Sequence, residues 1–221
     1  MMKLKQLDAI LFDLDGTLLD TANDLGAALN HVLTQHNLPA VSKERFRPIA
    51  SDGAKGLLEL GFGDQLKNFN YDDLRIEFLD YYQKNIAIHT CLYPKIEDLL
   101  TLLNAQNIPW GVVTNKPIGL TQELLPHFSC FSHCKSVIGG DSLPTRKPHP
   151  APLLFACDEM GVQANNCIYV GDAIRDIEAG NAANMLTIVA KWGYISDSND
   201  CKDWQANILA QTPANIAELI L

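Results

Sequence analysis

The sequence lacks any long uninterrupted hydrophobic run, and this absence bears on both export and membrane insertion. No apolar stretch approaches the roughly 20 residues that a membrane-spanning helix needs. The first apolar run, residues 9–12, is also too short for the hydrophobic region of a secretory signal. We therefore expect a soluble protein with no membrane partner.

The six cysteines include no C-x-x-C pair. Cys130 and Cys134 have no second half at zinc spacing, which argues against a zinc cluster. Scattered cysteines in apolar or mixed stretches are typical of reduced thiols. The expected location is therefore the cytoplasm.

Positive charge is scarce, because 17 lysines and arginines stand against 26 aspartates and glutamates, for a net charge of −9. This balance argues against a general affinity for nucleic acids. A small anionic ligand would need a local cluster of cations or a metal ion. A chain of 221 residues can form one large domain or a core with a smaller companion, and we expect a monomer or a homodimer.

The periodicity of apolar residues changes near residue 90. Before it, three segments have helical spacing, near residues 25–33, 54–60 and 74–82, with no strand pattern among them. After it, helices alternate with short apolar strands at residues 110–114, 136–138, 167–170 and 186–189. The pattern predicts an α/β fold with a doubly wound parallel sheet, built from residues 1–19 and 91–221, into which an all-helical unit of residues 20–90 is inserted.

The apolar run at residues 9–12 ends on Asp13 and Asp15, two carboxylates separated by one residue. The run predicts a buried strand that delivers both acids to its carboxyl end. Because ligands of open parallel sheets bind outside these strand ends, we expect a site here. Gly16 permits a tight turn directly after the acids.

Polar residues also follow three later strands. Thr114 and Asn115 offer a hydroxyl and an amide to an oxyanion, although both are common in turns. Lys147, in a loop stiffened by prolines, is either a point charge for phosphate or a solvated lysine. Asp172 and Asp176 flank a strand-to-helix turn, where acids also interact favourably with the helix macrodipole.

Taken together, four strands bring carboxylates, a hydroxyl, an amide and a lysine to one edge of the sheet. Magnesium prefers hard oxygen ligands, and Asp13, Asp15 and Asp172 can supply them while leaving positions for water and a phosphate. The lysine and the metal ion would neutralise a phosphoryl group. The residues therefore indicate Mg²⁺ as the cofactor of a phosphoryl-transfer site.

These motifs resemble, in order, the four motifs of the haloacid dehalogenase superfamily of phosphohydrolases. They are Asp13-Leu14-Asp15-Gly16-Thr17, Thr114-Asn115, Lys147, and Gly171-Asp172 followed by Asp176. The resemblance covers nearly the whole chain, and residues 20–90 look like the helical cap of that family. It implies a Rossmann-like core and a cap that closes over the site and sets specificity.

The resemblance implies distinct catalytic roles for the first two acids. Asp13 would be the nucleophile that forms an aspartyl-phosphate. Asp15 would protonate the leaving alkoxide and then deprotonate the hydrolytic water. Since a halide leaving group needs no such acid, Asp15 favours phosphate esters over halides.

The resemblance also implies which residues hold the metal ion and the phosphate. Asp13, the main-chain carbonyl of Asp15 and Asp172 would hold Mg²⁺, with Asp176 in support. Thr114, Asn115 and Lys147 would hold the phosphoryl oxygens, and Lys147 would thereby take part in catalysis.

The substrate is predicted to be a small phosphate ester. The chain most resembles the phosphoglycolate phosphatase-like group, and also the N-acetylmuramic acid 6-phosphate phosphatases; both substrates carry a carboxylate. The loop at residues 51–55 resembles the cap loop of phosphoglycolate phosphatases, but it would equally suit a surface turn with solvated basic residues. The candidate specificity residues are Arg45, Arg47, Ser51, Gly53 and Lys55.

Three other functions remain open at this stage. A sugar phosphomutase or a pyrophosphatase of the same superfamily would use the same motifs. A receiver-type signalling module also combines strand-end acids, a hydroxyl residue and a lysine. Such a module would need neither the inserted helical unit nor an acid two residues beyond the phosphorylated one.

Overall fold

The structure is a computed structural model that describes residues 7–195 and 200–221. The chain divides into two compact units, one of residues 1–19 with 92–221 and the other of residues 20–91. Their roles as core and cap stay a prediction. Across the described ranges, every helix is too short or too polar to span a membrane.

Short strands supply the framework of the first unit. In chain order the strands of the described residues are β1 (Ala9–Phe12), β2 (Leu19–Asp20), β3 (Cys91–Leu92), β4 (Trp110–Val113), β5 (Val137–Ile138), β6 (Cys167–Gly171), β7 (Leu186–Ala190) and β8 (Ile208–Ala210). β2 pairs with β3 where the chain leaves and re-enters the first unit.

The other strands form a parallel sheet in the order β5-β4-β1-β6-β7-β8. The chain moves outward from β1 through β4 to β5, then crosses to the other side of β1 and moves outward through β6, β7 and β8. This order confirms the predicted doubly wound α/β fold. It also places the topological switch point between β1 and β6, where such sheets bind ligands.

The helices separate along the chain between the two units. Within the described residues they are α1 (Ala22–Gln35), α2 (Lys43–Phe46), α3 (Gly53–Phe62) and α4 (Tyr71–Lys84) in the second unit, then α5 (Ile96–Ala105), α6 (Ile118–Leu124), α7 (Ala151–Met160), α8 (Ile174–Ala182) and α9 (Pro213–Ile220) in the first.

The centre of the sheet is apolar on both faces. All four residues of β1 are fully buried, as is Trp110 at the start of β4. Leu11 and Tyr169 pack in one apolar cluster with Leu153 of α7 and Ala179 of α8. Burial on both faces explains why these strands are continuous apolar runs without alternation.

The sequence did not predict β8 and α9. β8 has three residues, and Leu209 at its centre is exposed, so it has no buried run that periodicity could detect. α9 does begin with a standard signal, because Thr212 precedes Pro213 at the first helical position. A 3₁₀ turn at Leu125–His127 follows α6 directly.

In the second unit the buried Asp24 carboxylate binds the backbone near the end of residues 20–91. Asp24 of α1 accepts hydrogen bonds from the backbone N–H groups of His89 and Thr90 and from the Thr90 hydroxyl, the last at 2.6 Å. These three donors compensate for the burial of Asp24. Asp24 is therefore bound within its own unit and serves the fold.

Truncating the Leu11 side chain tests whether the stability of the first unit depends on the packing of β1. We expect Leu11→Ala to lower the free energy of unfolding by about 2–5 kcal/mol, because the central strand leaves little room to collapse around the cavity. Leu154→Ala, the same change at a residue of α7 that is 42% exposed, should cost less than about 1 kcal/mol. Urea unfolding followed by tryptophan fluorescence measures both; equal losses would contradict the prediction.

Candidate active site

The site begins at the switch point of the sheet. β1 and β6 are adjacent, and Phe12 is in register with Val170. Asp13 follows Phe12 directly, and Asp172 lies two residues after Val170. The Asp13 N–H donates to the Val170 carbonyl at 2.8 Å. The sheet itself thus brings one aspartate from the first motif beside another from the last.

Gly16 has no side chain because none would fit. Its φ of +88° lies in the left-handed region that favours glycine, and a Cβ there would collide with the Asp172 carboxylate. A Cβ at Gly193, after β7, would likewise collide with the Asp172 side chain and with the Gly16 carbonyl. Two glycines therefore let the backbone approach one buried acid.

Asp13, Asp172 and Asp176 form a cluster of three buried carboxylates. One oxygen of each lies within 4.8 Å of the others. In the ranges that the structure describes, this is the one group of His, Cys, Asp or Glu side chains close enough to share a metal ion, and Cys130 and Cys134 are not part of such a group.

Lys147 compensates the charge of this cluster. Its Nζ lies 2.8 Å from Asp13 Oδ1 and 2.8 Å from Asp176 Oδ1. It also donates to the Val113 carbonyl at 2.8 Å and to the Tyr169 hydroxyl at 2.7 Å. With only 2% of its surface exposed, Lys147 is a buried point charge and the solvated alternative is wrong.

Burial and charge shift the pKa values of these groups. Burial opposes the charge of Lys147, but the Asp13 and Asp176 carboxylates outweigh it and raise the pKa of the lysine. Burial raises the pKa of Asp13 despite the neighbouring Lys147. Burial, followed by the Asp13 and Asp176 charges, raises the pKa of Asp172 to about 7. The cluster therefore has too little positive charge for its carboxylates.

The two later acids have different surroundings. Asp176 accepts from Lys147 through Oδ1 and from the Ala173 N–H through Oδ2, so both of its oxygens are bonded to the protein. Asp172 accepts from the Tyr194 N–H at 2.9 Å through Oδ2, while its Oδ1 lies 3.4 Å from the Thr17 hydroxyl. Both acids therefore accept hydrogen bonds through both of their oxygens, and Asp176 receives one of them from the Lys147 ammonium.

Thr114 and Asn115 lie on the turn after β4. The Thr114 hydroxyl accepts from the Lys116 N–H at 3.2 Å, which leaves its own proton for another acceptor. Asn115 donates to the Lys147 carbonyl at 3.0 Å and so joins the second and third motifs. Its buried Oδ1, an acceptor, has no hydrogen-bond partner among the described residues.

Asp15 is held apart from the three-aspartate cluster. Both of its carboxylate oxygens contact Lys116 Nζ, at 3.0 and 3.2 Å. The sequence alone predicts no role for Lys116, because this lysine is typical of a turn residue. The only signal was the lysine directly after Thr114 and Asn115, and turn lysines are usually solvated.

The basic residues predicted to set specificity lie in the second unit. Arg47 donates to both carboxylate oxygens of Asp20, each at 2.8 Å. Arg45 is exposed, and Lys55 is exposed with its Nζ 4.0 Å from Glu59. Ser51 is half-buried, and Gly53 has a φ of +61° with open space where a Cβ would lie.

A divalent cation fits this set of donors. Carboxylate oxygens are the hard ligands that Mg²⁺ prefers. Burial, followed by the Asp13 and Asp176 charges, raises the pKa of Asp172. When ionised, Asp13, Asp15, Asp172 and Asp176 carry an excess of two negative charges over their two lysine partners. A bound dication would remove it.

A family model described as haloacid dehalogenase-like hydrolase matches residues 10–190. The chain belongs to this family. The predicted family is therefore confirmed. The matched residues include Asp13 and Asp15 after β1 and Asp172 after β6.

Two curated relatives of this hydrolase carry different names. A phosphoglycolate phosphatase of Xanthomonas campestris pv. campestris (strain 8004) is 41% identical over 210 residues, which are 95% of each chain. An N-acetylmuramic acid 6-phosphate phosphatase of Pseudomonas aeruginosa is 34% identical over 219 residues, 99% of this chain and 97% of the other.

A solved structure shares the fold of this hydrolase. It is described as a predicted phosphoglycolate phosphatase from Haemophilus somnus 129PT and has a TM-score of 0.88 at 29% identity. The match covers 99% of this chain and 100% of the other. The two proteins thus share their fold over nearly the whole of both chains.

The pKa of Asp172 yields a prediction for the metal-free protein. Between pH about 4 and 7 the folded state keeps a proton that the unfolded chain has lost, so this group makes the fold less stable as pH rises through that window. Mg²⁺ favours the ionised carboxylate and should oppose this loss. We expect Mg²⁺ to raise Tm more at pH 8 than at pH 5.5, by about 2–4 °C for each kcal/mol gained.

Asp172→Asn should abolish most of this pH-dependent gain, because the amide oxygen can still accept from the Tyr194 N–H but carries no charge. Asp98→Asn, at an exposed ion pair with Lys95, is the matched control and should leave the gain intact. Thermal unfolding at the two pH values measures both variants. An equal Mg²⁺ effect at pH 5.5 and pH 8 would rule out the prediction.

Proposed function

We propose that this hydrolase is a Mg²⁺-dependent phosphatase that cleaves a small phosphate monoester carrying a carboxylate. The observation that carries the proposal is the buried Asp13 carboxylate, held at one oxygen by Lys147 and placed beside Asp172 and Asp176. This arrangement combines a fixed nucleophile with a metal-binding set of acids, as expected for phosphoryl transfer by positioning and charge stabilisation.

Asp13 is the proposed nucleophile. Its oxygen would form a bond to phosphorus while the bond from phosphorus to the leaving oxygen breaks. Asp15 would give a proton to that oxygen. It would then take a proton from the water that attacks phosphorus and releases Asp13. Each proton and each electron pair is accounted for by these two acids.

The remaining residues would bind the phosphoryl group and the cation. The Thr114 hydroxyl and an N–H of the Asn115 amide would donate to phosphoryl oxygens, and the Lys147 ammonium would offset their charge. Asp13 and Asp172, with the Asp15 carbonyl, would hold the cation, and Asp176 would support Lys147 because both of its oxygens are bonded to the protein. When bound, the cation would polarise the phosphoryl oxygens and offset their charge.

The substrate class is supported by the relatives. The two curated proteins act, by their names, on phosphoglycolate and on N-acetylmuramic acid 6-phosphate, and each covers nearly the whole chain. Both compounds are phosphate monoesters with a carboxylate. We propose one of these two as the substrate and residues 20–91 as the cap that selects it.

The deciding experiment measures phosphate release with Mg²⁺ from 2-phosphoglycolate, N-acetylmuramic acid 6-phosphate, sugar phosphates and pyrophosphate. The order of kcat/KM should place one of the two carboxylate esters first. Return of the phosphate to a sugar would identify a phosphomutase. A stable aspartyl-phosphate without phosphate release would identify a receiver-type module.

Asp13→Asn should lower phosphate release at least about 10³-fold, because it removes the nucleophile while preserving side-chain volume. In the unsubstituted enzyme, acid quenching and mass spectrometry should find a phosphoryl group on the peptide that contains Asp13. Asp98→Asn, an exposed acid in the same unit, is the control and should be fully active. An active Asp13→Asn enzyme would refute the assignment.

Arg45 and Lys55 are the proposed contacts to the substrate carboxylate, since Arg47 already bonds Asp20. We expect Arg45→Ala or Lys55→Ala to raise KM for the carboxylate ester about 10-fold, equivalent to about 1.4 kcal/mol of binding. KM for p-nitrophenyl phosphate should not change, because that ester has no carboxylate. Lys67→Ala, at another exposed lysine of the unit, is the control; equal effects on both esters would contradict this role.

A further inference from the structure

Lys116 makes a buried ion pair that the proposed reaction does not yet use. Its side chain is 5% exposed and that of Asp15 is 15% exposed. Its Nζ lies within 3.2 Å of both oxygens of the Asp15 carboxylate. Lysines are rarely buried without a partner, and removing one member of such a pair leaves the other charge uncompensated.

The backbone of Lys116 is fixed by the same turn that presents Thr114. The Lys116 N–H donates to the Thr114 hydroxyl at 3.2 Å, and the Lys116 carbonyl accepts from the Gly140 N–H at 2.8 Å. Gly140 permits this approach, since a Cβ there would collide with the Asn115 carbonyl. One rigid turn therefore sets the position of both the Thr114 hydroxyl and the Lys116 ammonium.

The two acids of the first motif are held by two different lysines. Lys147 contacts Asp13 at 2.8 Å, while Lys116 contacts Asp15. Asp15 is not a member of the three-carboxylate cluster that Asp13 shares with Asp172 and Asp176. The two carboxylates are separated by one residue in the sequence and have different proposed tasks, and each is thus paired with its own lysine.

We propose that Lys116 is a positioning residue that holds the Asp15 carboxyl group for proton transfer to and from the reacting oxygens. This inference rests on the proposed phosphatase function. An ammonium group can donate to a carboxyl oxygen whether or not the other oxygen carries a proton. The contact can therefore persist while Asp15 gives its proton to the leaving oxygen and later receives one from water.

The test is a comparison of leaving groups. A proton donor matters most when the departing oxygen is a poor leaving group, and kcat/KM reports the steps up to its departure. For Lys116→Met we expect kcat/KM to fall about 10²-fold with 2-phosphoglycolate and with β-glycerol phosphate, as for a misplaced catalytic group. With p-nitrophenyl phosphate, whose leaving group needs no proton, the loss should stay below about threefold.

The β-glycerol phosphate arm separates positioning from substrate binding, because that ester has no carboxylate. A loss confined to 2-phosphoglycolate, or appearing as a higher KM with unchanged kcat, would show that Lys116 binds the substrate and would overturn the proposal. Equal losses with all three esters would show a structural or phosphate-binding role and would overturn it as well. So would the absence of any loss.

Further variants keep the proposal open to refutation. In an Asp15→Asn background, Lys116→Met should add no further loss, because the group that it positions is gone. Lys116→Arg should restore part of the activity with the two alkyl esters. If the Met variant does not fold, Lys116→Gln gives the same comparison of esters with a smaller expected loss on the two alkyl esters, because its amide can still donate to Asp15.

Lys95→Met is the matched control, since Lys95 pairs with Asp98 at 3.0 Å on the surface of the same unit. It should change none of the three kcat/KM values. Failure of the unsubstituted enzyme to release phosphate from any ester would refute the phosphatase function itself. That outcome is distinct from an active enzyme in which Lys116→Met affects the three esters alike.

Discussion

The site depends on one buried ammonium group. Lys147 Nζ contacts the Asp13 and Asp176 carboxylates, the Val113 carbonyl and the Tyr169 hydroxyl, all within 2.8 Å. These partners come from the ends of β1 and β4, from within β6 and from α8, so one charge joins the elements around the switch point of the sheet. Because an unpaired buried charge costs several kcal/mol, this ammonium group compensates for the burial of both carboxylates.

The single charge of Lys147 does not balance the three carboxylates of Asp13, Asp172 and Asp176 when they are ionised, and a cation proposed to bind there would supply the missing charge. Burial raises the pKa of Asp13, and that of Asp172 to about 7, even with the lysine present. A site that were neutral without a cation would gain little by binding one. Here the cation and then the phosphate oxygens would meet groups already fixed by hydrogen bonds, which is the condition for electrostatic stabilisation of a transition state.

The sequence predicted the fold and the gathering of the strand-end residues because both follow from local patterns. Apolar runs predict parallel strands, and parallel strands put their carboxyl ends on one edge, so Asp13, Thr114 and Asp172 had to meet. Periodicity could not predict β8, because its central residue Leu209 is exposed and the strand has no buried apolar run. Pairings between distant residues, such as Lys116 with Asp15 and Arg47 with Asp20, depend on tertiary geometry that no sequence pattern encodes.

The Lys116–Asp15 and Arg47–Asp20 pairs bear on how the proposed enzyme would distinguish one phosphate ester from another. Every contact described around Asp13 and Asp15 lies within the first unit, and the groups involved are those proposed to act on the phosphate and its bridging oxygen. Such groups are the same for any phosphate monoester. Discrimination between phosphoglycolate and N-acetylmuramic acid 6-phosphate therefore requires side chains outside this set. Arg47 is engaged with Asp20, so the proposed function assigns contact with the rest of the substrate to exposed residues such as Arg45 and Lys55.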